Sequence, residues 1–496
     1  MFSQLRTTQT VAVRRDLPPL SFHNTLSSKT EVFVPLSDNV VKMYNCGPTV
    51  YSLQHIGNLR AYLFADTLHR LLSYWGYEVK QVINITDVGH LASDADEGED
   101  KIETAAKKTG RHAQDIVREY TDAWFADLDA FNIDRSKIIF SPATEYIQEQ
   151  IALVLTLEEK GYTYSGTKGV YFDTSCFHDY GKLGNIALEG LKEGARVETD
   201  PEKRHPSDFF LWKFAETGVK REQEWESPWG VGFPGWHIEC TAMIFRLLGK
   251  QIDIHTGGID HIPVHHNNEI AQAEAVTGKQ YVKYWMHCAH IMIDGKKISK
   301  SLGNSVYLSD IVKHDISPLA LRYWFLTAHY RTQTNFTWEA VEGASTALSR
   351  LKSAIASFKP SEEEAPTQHP TFMRNFIEAI SNDVDTPKAI ALMWEFVKDD
   401  AISTPVKYAT LLEADSLLGL DLANVLKVGE KAPLTGNSEE LPKKIRTLVE
   451  KREVARAEGD FAGADVLREK ISKQGYSIVD TPTGATLSKL PTKNTN

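Results

Sequence analysis

The chain has little of what a secreted or membrane protein carries. Cysteine is scarce: four in 496 residues, at positions 46, 176, 240 and 288, with no CxxC pair and no regular spacing. So sparse a set excludes a disulfide framework and reads as thiols kept reduced inside a cell. No apolar run approaches the roughly 20 residues that span a bilayer. The first residues, MFSQLRTTQTVAVRRDLPPL, lack a hydrophobic signal core. They hold arginines and no acid before Asp16, so they read as a tail on a cytoplasmic enzyme, with an organelle-targeting (mitochondrial) peptide as the alternative. Basic charge is also in deficit, with 55 Lys and Arg against 66 Asp and Glu. The net of −11 excludes a general coat for nucleic acid but leaves room for a local basic face. No Ser-His-Asp pattern stands out.

What is present begins at Lys42–Leu72, KMYNCGPTVYSLQHIGNLRAYLFADTLHRLL. Val40–Tyr44 is a short apolar run and predicts a buried parallel strand. Asn45–Gln54 is a loop punctuated by Gly and Pro. From Leu59 to Trp75 the apolar residues recur at helical spacing, and Gly76 stands where a C-cap is needed. Strand, loop and helix in that order open a nucleotide-binding βαβ unit, with a phosphate position at the helix N-terminus.

Two short motifs flank this unit at long range. His55-Ile56-Gly57-Asn58 lies at the turn into the helix, and Lys297-Ile298-Ser299-Lys300-Ser301 follows the strand-like Ala289–Ile293. Together they resemble the His-Ile-Gly-His and Lys-Met-Ser-Lys-Ser signatures of class I aminoacyl-tRNA synthetases, with Asn58 and Ile298 as departures. The flanks CGPTVY and SLGN resemble the cysteinyl-tRNA synthetase family in particular. So do FDTSCFHDYGKLG, DFFLWK, GWHIEC, GGIDHIPVHHNNE, NDVDTPKAIALMWE and DFAGADVLR. The resemblance covers about residues 21 to 490.

It implies an α/β fold: a Rossmann-like parallel-sheet catalytic domain with an α+β insert, a helical anticodon-binding bundle and a small basic C-terminal domain. The corresponding boundaries are 1–20 for the tail, 21–118 for the first catalytic half and 119–234 for the insert. They continue with 235–305 for the second half, 306–427 for the stem-contact and anticodon region, and 443–496 for the last domain. That last stretch holds 11 Lys and Arg against 7 acids, the one locally basic module. The substrates implied are ATP with Mg2+, L-cysteine and tRNA(Cys), and the expected state is a monomer without membrane contact.

His265 and Glu269 stand at i and i+4 on a predicted helix from His265 to Val276, so both side chains can reach one ion. Cys46 and Cys240 lie 194 residues apart and cannot be paired from spacing. The resemblance joins these four as ligands of one zinc ion, a chemically sensible donor set. His261 and His266 are competing ligands in the same stretch. Cys176 reads as a passive residue.

For ATP and the adenylate the resemblance implies Gly47, Thr49, His55, Gly57, Asn58, Thr86, Gly257, Gly258 and Asp260. Lys297 and Lys300 are placed on the departing pyrophosphate, and Trp236 against the bound cysteine. Phe233 and Thr241 replace the family's Arg and Ser. The acidic Asp94–Asp100 stretch is expected beside the adenylate. Two alternatives share these motifs. One is a cysteine–amino-sugar ligase, which lacks the C-terminal RNA-binding part. The other is a non-catalytic zinc-containing paralogue.

Overall fold

The computed structural model describes residues 13–89, 101–186, 200–215, 221–298, 303–360, 367–424, 443–457, 461–474, 476–481 and 484–489. The acidic stretch 94–100, Lys300 and the linker at 428–442 therefore lie outside the described residues. The chain forms two compact units, one of residues up to 310 with 318–422, the other of 311–317 with the residues from 423 onward.

The first unit opens with a hairpin, β1 (Ser21–Asn24) and β2 (Lys29–Val32), then β3 (Val40–Asn45), α1 (Ile56–Tyr74) and β4 (Glu78–Ile85). Next come α2 (Lys101–Thr109), α3 (Ala113–Ala130), β5 (Ile138–Pro142) and α4 (Ile147–Glu159). β6 (Thr163–Ser165), β7 (Gly169–Phe172), β8 (Phe209–Phe214) and β9 (Gly232–Pro234) form an antiparallel sheet. The chain returns through α5 (Trp236–Leu247), β10 (Ile252–Gly258), α6 (His265–Thr277) and β11 (Val282–Cys288). The parallel sheet has the order β11-β10-β3-β4-β5, so its two edges come from opposite halves of the chain. β10 and β11 are buried along nearly their whole length, as helix-covered parallel strands are, while β5 at the far edge is partly exposed.

One expectation changes here. β5 lies within 119–234 yet pairs in parallel with β4, so the antiparallel insert begins only after Pro142. β10 runs on through Thr256-Gly257-Gly258. Its pairing with β11 holds both glycines extended, Gly257 opposite His287 and Gly258 opposite Cys288. The stretch from Val282 to Ile293 holds two strands. β11 belongs to the parallel sheet, while β12 (Ile291–Ile293) joins β13 (Lys296–Lys297) and β14 (Thr334–Phe336).

After α7 (Leu308–Lys313) the chain is mostly helical: α8 (Pro318–Leu326), α9 (Trp338–Phe358), α10 (Pro370–Ser381), α11 (Thr386–Lys398) and α12 (Thr404–Leu418). The helical spacing from Phe372 to Lys398 is that of two helices, α10 and α11. The turn between α10 and α11 divides it, with Asp383 and Val384 both at positive φ. The second unit holds α13 (Lys443–Ala457), α14 (Phe461–Lys473) and a hairpin of β15 (Tyr476–Thr481) and β16 (Gly484–Lys489).

A buried ion pair fastens the helical part of the first unit to its catalytic part. Arg322 on α8 is fully buried. It donates to Asp66 Oδ2 on α1 at 2.6 Å, and to the Leu418 and Phe131 carbonyls at 2.7 Å each. Removing one member of such a pair strands a charge in the interior. Asp66→Ala should therefore cost about 3–5 kcal/mol, while adding Arg322→Met should recover much of it. Urea titration of the three proteins checks this, and an unchanged midpoint in Asp66→Ala would show that the pair carries no stability.

Candidate active site and metal centre

The order of the parallel sheet reverses between β3 and β10, and ligands of open α/β sheets bind beyond the carboxyl ends of the strands at that point. Cys46 and Gly47 leave β3 there. The Cys46 N–H donates to the Thr256 carbonyl at 3.1 Å, and the Gly47 N–H to Asn84 Oδ1 at 2.7 Å. A Cβ on Gly47 would overlap the Asn84 carbonyl, so only glycine fits.

β9 runs straight into α5, whose second turn carries Cys240, buried. α6 places His265 and Glu269 on one buried face, with His265 Nε2 3.1 Å from Glu269 Oε1. The Cys46 and Cys240 thiols act on each other's ionisation, and His265 on that of Cys240. The structure thus brings Cys46, Cys240, His265 and Glu269 to one place.

It also brings in His266, the competing ligand of the same stretch, and His255, which the sequence reading did not include. His266 Nε2 lies 3.2 Å from the Cys46 sulfur, and His255 Nε2 lies 3.1 Å from Glu269 Oε2. The donor atoms of Cys46, His255, His266 and Glu269 all lie within 4.8 Å of one another, as do those of Cys240, His265 and Glu269. Glu269 is common to both groups. His287 continues the cluster outward, 2.8 Å from His266 Nδ1 and 2.7 Å from Thr25 Oγ1. A lone polar residue inside an apolar strand, as in YWMHCAH, was the available signal for His287, whereas His255 in QIDIHTGG stands among other polar residues.

The charges here oppose one another. Burial pushes the Cys46 thiol well above its ordinary value, while Cys46 and the neighbouring His265 bring Cys240 down to about 7. Burial would lower His265, but Cys240 and Glu269 outweigh it and raise the imidazole to about 10. Burial would raise Glu269; His255 and His265 instead hold it ionised, at about 2. His266 is held neutral by burial, then by the surrounding rings. Among the described residues Glu269 Oε1 accepts no hydrogen bond, and its near neighbour is the His265 ring, with Nε2 3.1 Å away. A cation among two thiols, an imidazole and this carboxylate would satisfy it, and the donor set suits zinc.

The phosphate side is built by α1. His55 is its N-cap: Nδ1 accepts from the Asn58 N–H at 3.3 Å, and Asn58 Oδ1 accepts from the His55 N–H at 3.2 Å. Asn58 thus completes a capping box. With Nδ1 an acceptor, the neutral ring carries its proton on Nε2. A Cβ on Gly57 would lie 3.2 Å from Ile298 Cδ1, so the two signature motifs meet at this glycine. The segment beyond the lysine motif is tied to the same point, since the Ile56 N–H donates to the Val306 carbonyl at 2.9 Å. Thr49 bridges to Thr86, whose hydroxyl donates to the buried Glu239 at 3.3 Å.

Trp236, half-buried, sets its ring 4.8 Å from that of His265. Gly258 lies against the Asp260 carboxylate. Burial would raise that carboxyl; His261, His290 and Lys297 hold it below its usual value, which puts Lys297 on the same side of the cleft. Phe233, where the resemblance expected arginine, carries the Arg221 guanidinium 3.6 Å above its ring. Thr241 is buried, and Cys176 is exposed on a 3-10 turn of the insert.

A five-stranded parallel sheet with its switch point at β3 and β10, and two signature motifs meeting at Gly57, define the catalytic domain of a class I aminoacyl-tRNA synthetase. The family model described as tRNA synthetases class I (C) catalytic domain matches residues 32–346. The cysteine–tRNA ligase 1 of Burkholderia lata is 44% identical over 470 residues, covering 95% of this chain and 97% of that one. That of Treponema denticola is 40% identical over 497 residues, covering 95% and 100%. The chain belongs to the cysteine–tRNA ligase family of class I synthetases, which are ATP-dependent ligases. The fold is also that of Mycobacterium tuberculosis methionyl-tRNA synthetase, solved with methionyl-adenylate, at TM-score 0.54 and 14% identity over 78% of this chain and 93% of that one.

Proposed function

We propose that the chain activates L-cysteine with ATP and transfers it to the 3′-terminal adenosine of tRNA(Cys). The observation that carries this reading is the buried meeting of Cys46, Cys240, His265 and Glu269 beside the His55 motif. In the first step a cysteine carboxylate oxygen attacks the α-phosphorus of ATP. The bond to the bridging oxygen breaks, and pyrophosphate leaves with Mg2+. In the second step a ribose hydroxyl of the terminal adenosine attacks the carbonyl carbon, and AMP leaves.

This is chemistry of placement and charge more than of a nucleophilic side chain. His55 Nε2–H and the α1 N-terminus face the phosphates. Lys297 and Lys300 supply point cations that stay with the departing pyrophosphate. Thr49, Thr86, Gly257 and Gly258 line the adenylate, and Asp260 accepts from the ribose or from the amino group of cysteine. Cys46, Cys240, His265 and Glu269 would hold zinc, and Trp236 closes over the side chain bound there. Zinc in that place offers a soft partner that favours a thiolate over an alcohol. Residues 306–427 and 443–496 are assigned to the RNA.

Serine differs from cysteine by one atom, and shape alone discriminates by only about 1–3 kcal/mol. Selection by the metal site puts rejection at the first step. Purified protein should charge total tRNA with radiolabelled cysteine and show almost no serine-dependent ATP–pyrophosphate exchange. Brisk serine exchange without stable seryl-tRNA would place discrimination in hydrolytic editing instead. Failure to charge tRNA, with cysteine-dependent exchange intact, would favour the small-molecule ligase.

A further inference from the structure

A row of buried polar side chains crosses the parallel sheet, stepping back two residues between β3 and β4, where Asn45 pairs with Ile83 and Gln81 with Met43. Asn45 on β3, Gln81 on β4 and Thr256 on β10 are each 2% exposed. His69 on α1 is the fourth member. Its Nδ1 lies 2.7 Å from Gln81 Oε1, Gln81 Nε2 donates to Asn45 Oδ1 at 2.7 Å, and Asn45 Nδ2 donates to Thr256 Oγ1 at 2.6 Å. Gln81 Oε1 is a carbonyl oxygen, so His69 donates and every bond runs in one direction, from α1 to β10. Bonds aligned in this way polarise one another.

The row joins two different places. At its outer end His69 and Gln81 line a cavity of about 640 Å3, with Arg70, Lys137 and Asp134 also on its wall. At its inner end is the last rung of the β3–β10 ladder, where Asn45 pairs with Thr256. Beyond that rung the strands part. Cys46 follows directly on one and Gly257 on the other, and the Thr256 carbonyl receives the Cys46 N–H. On the opposite side Asn84 holds Gly47, so the Cys46-Gly47 dipeptide is gripped from both flanks.

Apolar side chains would fill the same space without the desolvation that three buried amide and hydroxyl groups incur. What a hydrogen-bonded row adds is a fixed length and direction across the sheet. We propose that Asn45 and Gln81 are positioning residues for the thiol site: with Thr256 they set the separation of β3 and β10 at their last rung, and so the aim of Cys46 and the Gly257 backbone. This rests on the assignment of Cys46 to the cysteine-binding metal site.

The test uses the zinc-loaded full-length protein and cysteine-dependent ATP–pyrophosphate exchange. Gln81→Leu alone leaves Asn45 Oδ1 unpaired and should lower the urea midpoint. Asn45→Val with Gln81→Leu removes both groups of the central bond and should return part of the midpoint, because replacing both partners by apolar groups can be nearly neutral, while His69 and Thr256 keep their polar atoms. The KM for cysteine should rise about tenfold in both variants, and by more than the KM for ATP, since Cys46 stands at the end of the row while Gly257 only borders the adenylate. A double variant with restored stability and wild-type cysteine KM would overturn the proposal and leave the row a packing feature. If the double variant does not fold, Thr256→Val carries the same test: a raised cysteine KM supports the proposal, an unchanged one overturns it. Wild-type protein without zinc or cysteine-dependent exchange would instead sink the underlying reading of the site.

Discussion

Cys240→Ser should strip the protein of its metal. Wild-type protein should contain about one zinc per chain, as one four-donor site requires. Replacing a buried soft thiolate by a hydroxyl removes the donor that zinc prefers and leaves Cys46 and Glu269 without their partner. Losing a ligand should weaken the metal at least as much as losing an outer hydrogen-bond partner, which costs about 10–100-fold. Elemental analysis and a chelator titration read this without reference to activity. The structure sharpens the comparison, because Glu269 is shared by two groups of donors and His266 is the ring nearest to Cys46. Glu269→Gln should lose metal whichever group binds. His265→Ala should lose it, and His266→Ala should retain most. The reverse order for the two histidines would replace His265 by His266 in the ligand set, and wild-type protein without zinc would remove the site altogether.

Lys300→Ala should lower cysteine-dependent ATP–pyrophosphate exchange by about 30–1000-fold, the roughly 2–4 kcal/mol that one electrostatic contact to a transition state supplies. The motif places this lysine where negative charge builds on the departing pyrophosphate. The loss should fall on kcat more than on the KM for cysteine, since the contact strengthens only as the bond breaks. Lys296→Ala is the control. Lys296 is exposed on β13 beside Lys297, and its loss should leave exchange nearly unchanged. Equal activity of Lys300→Ala and wild type would make the lysine a surface charge.

The sequence was most legible where chemistry and periodicity coincide along a short stretch. An apolar run, a Gly/Pro loop and a helical repeat located β3 and α1 closely, because each signal is local. His265 and Glu269 were legible as a pair because a helix sets their spacing. Cys46 and Cys240 were not, since only the folded sheet brings β3 and α5 together, and the family resemblance had to join them. His255 and His287 stayed hidden because alternation assigns a strand residue to a face without saying what faces it. The glycines at 257 and 258 are kept extended by β11, a partner strand that is distant in sequence. Apolar periodicity does not mark the break at Asp383–Val384, because it continues across it. Asp385-Thr386-Pro387 does carry a start signal, with Asp385 accepting from the Lys388 N–H and proline in the first turn of α11.

The strand order also bears on how the molecule is made. β3 lies between β4, its near neighbour in sequence, and β10, some two hundred residues further on. A ribosome delivers β3, α1 and β4 early, but one flank of β3 must wait until the insert and α5 have emerged. Until then β3 presents an unpaired apolar edge, the kind of surface that invites wrong partners in slow, non-local folds. The metal-binding cluster draws Cys46 from the early part of the chain and Cys240, His265 and Glu269 from the late part. It is complete only when that edge has been covered, so an ion that needs donors from both parts would be held only after the sheet has closed.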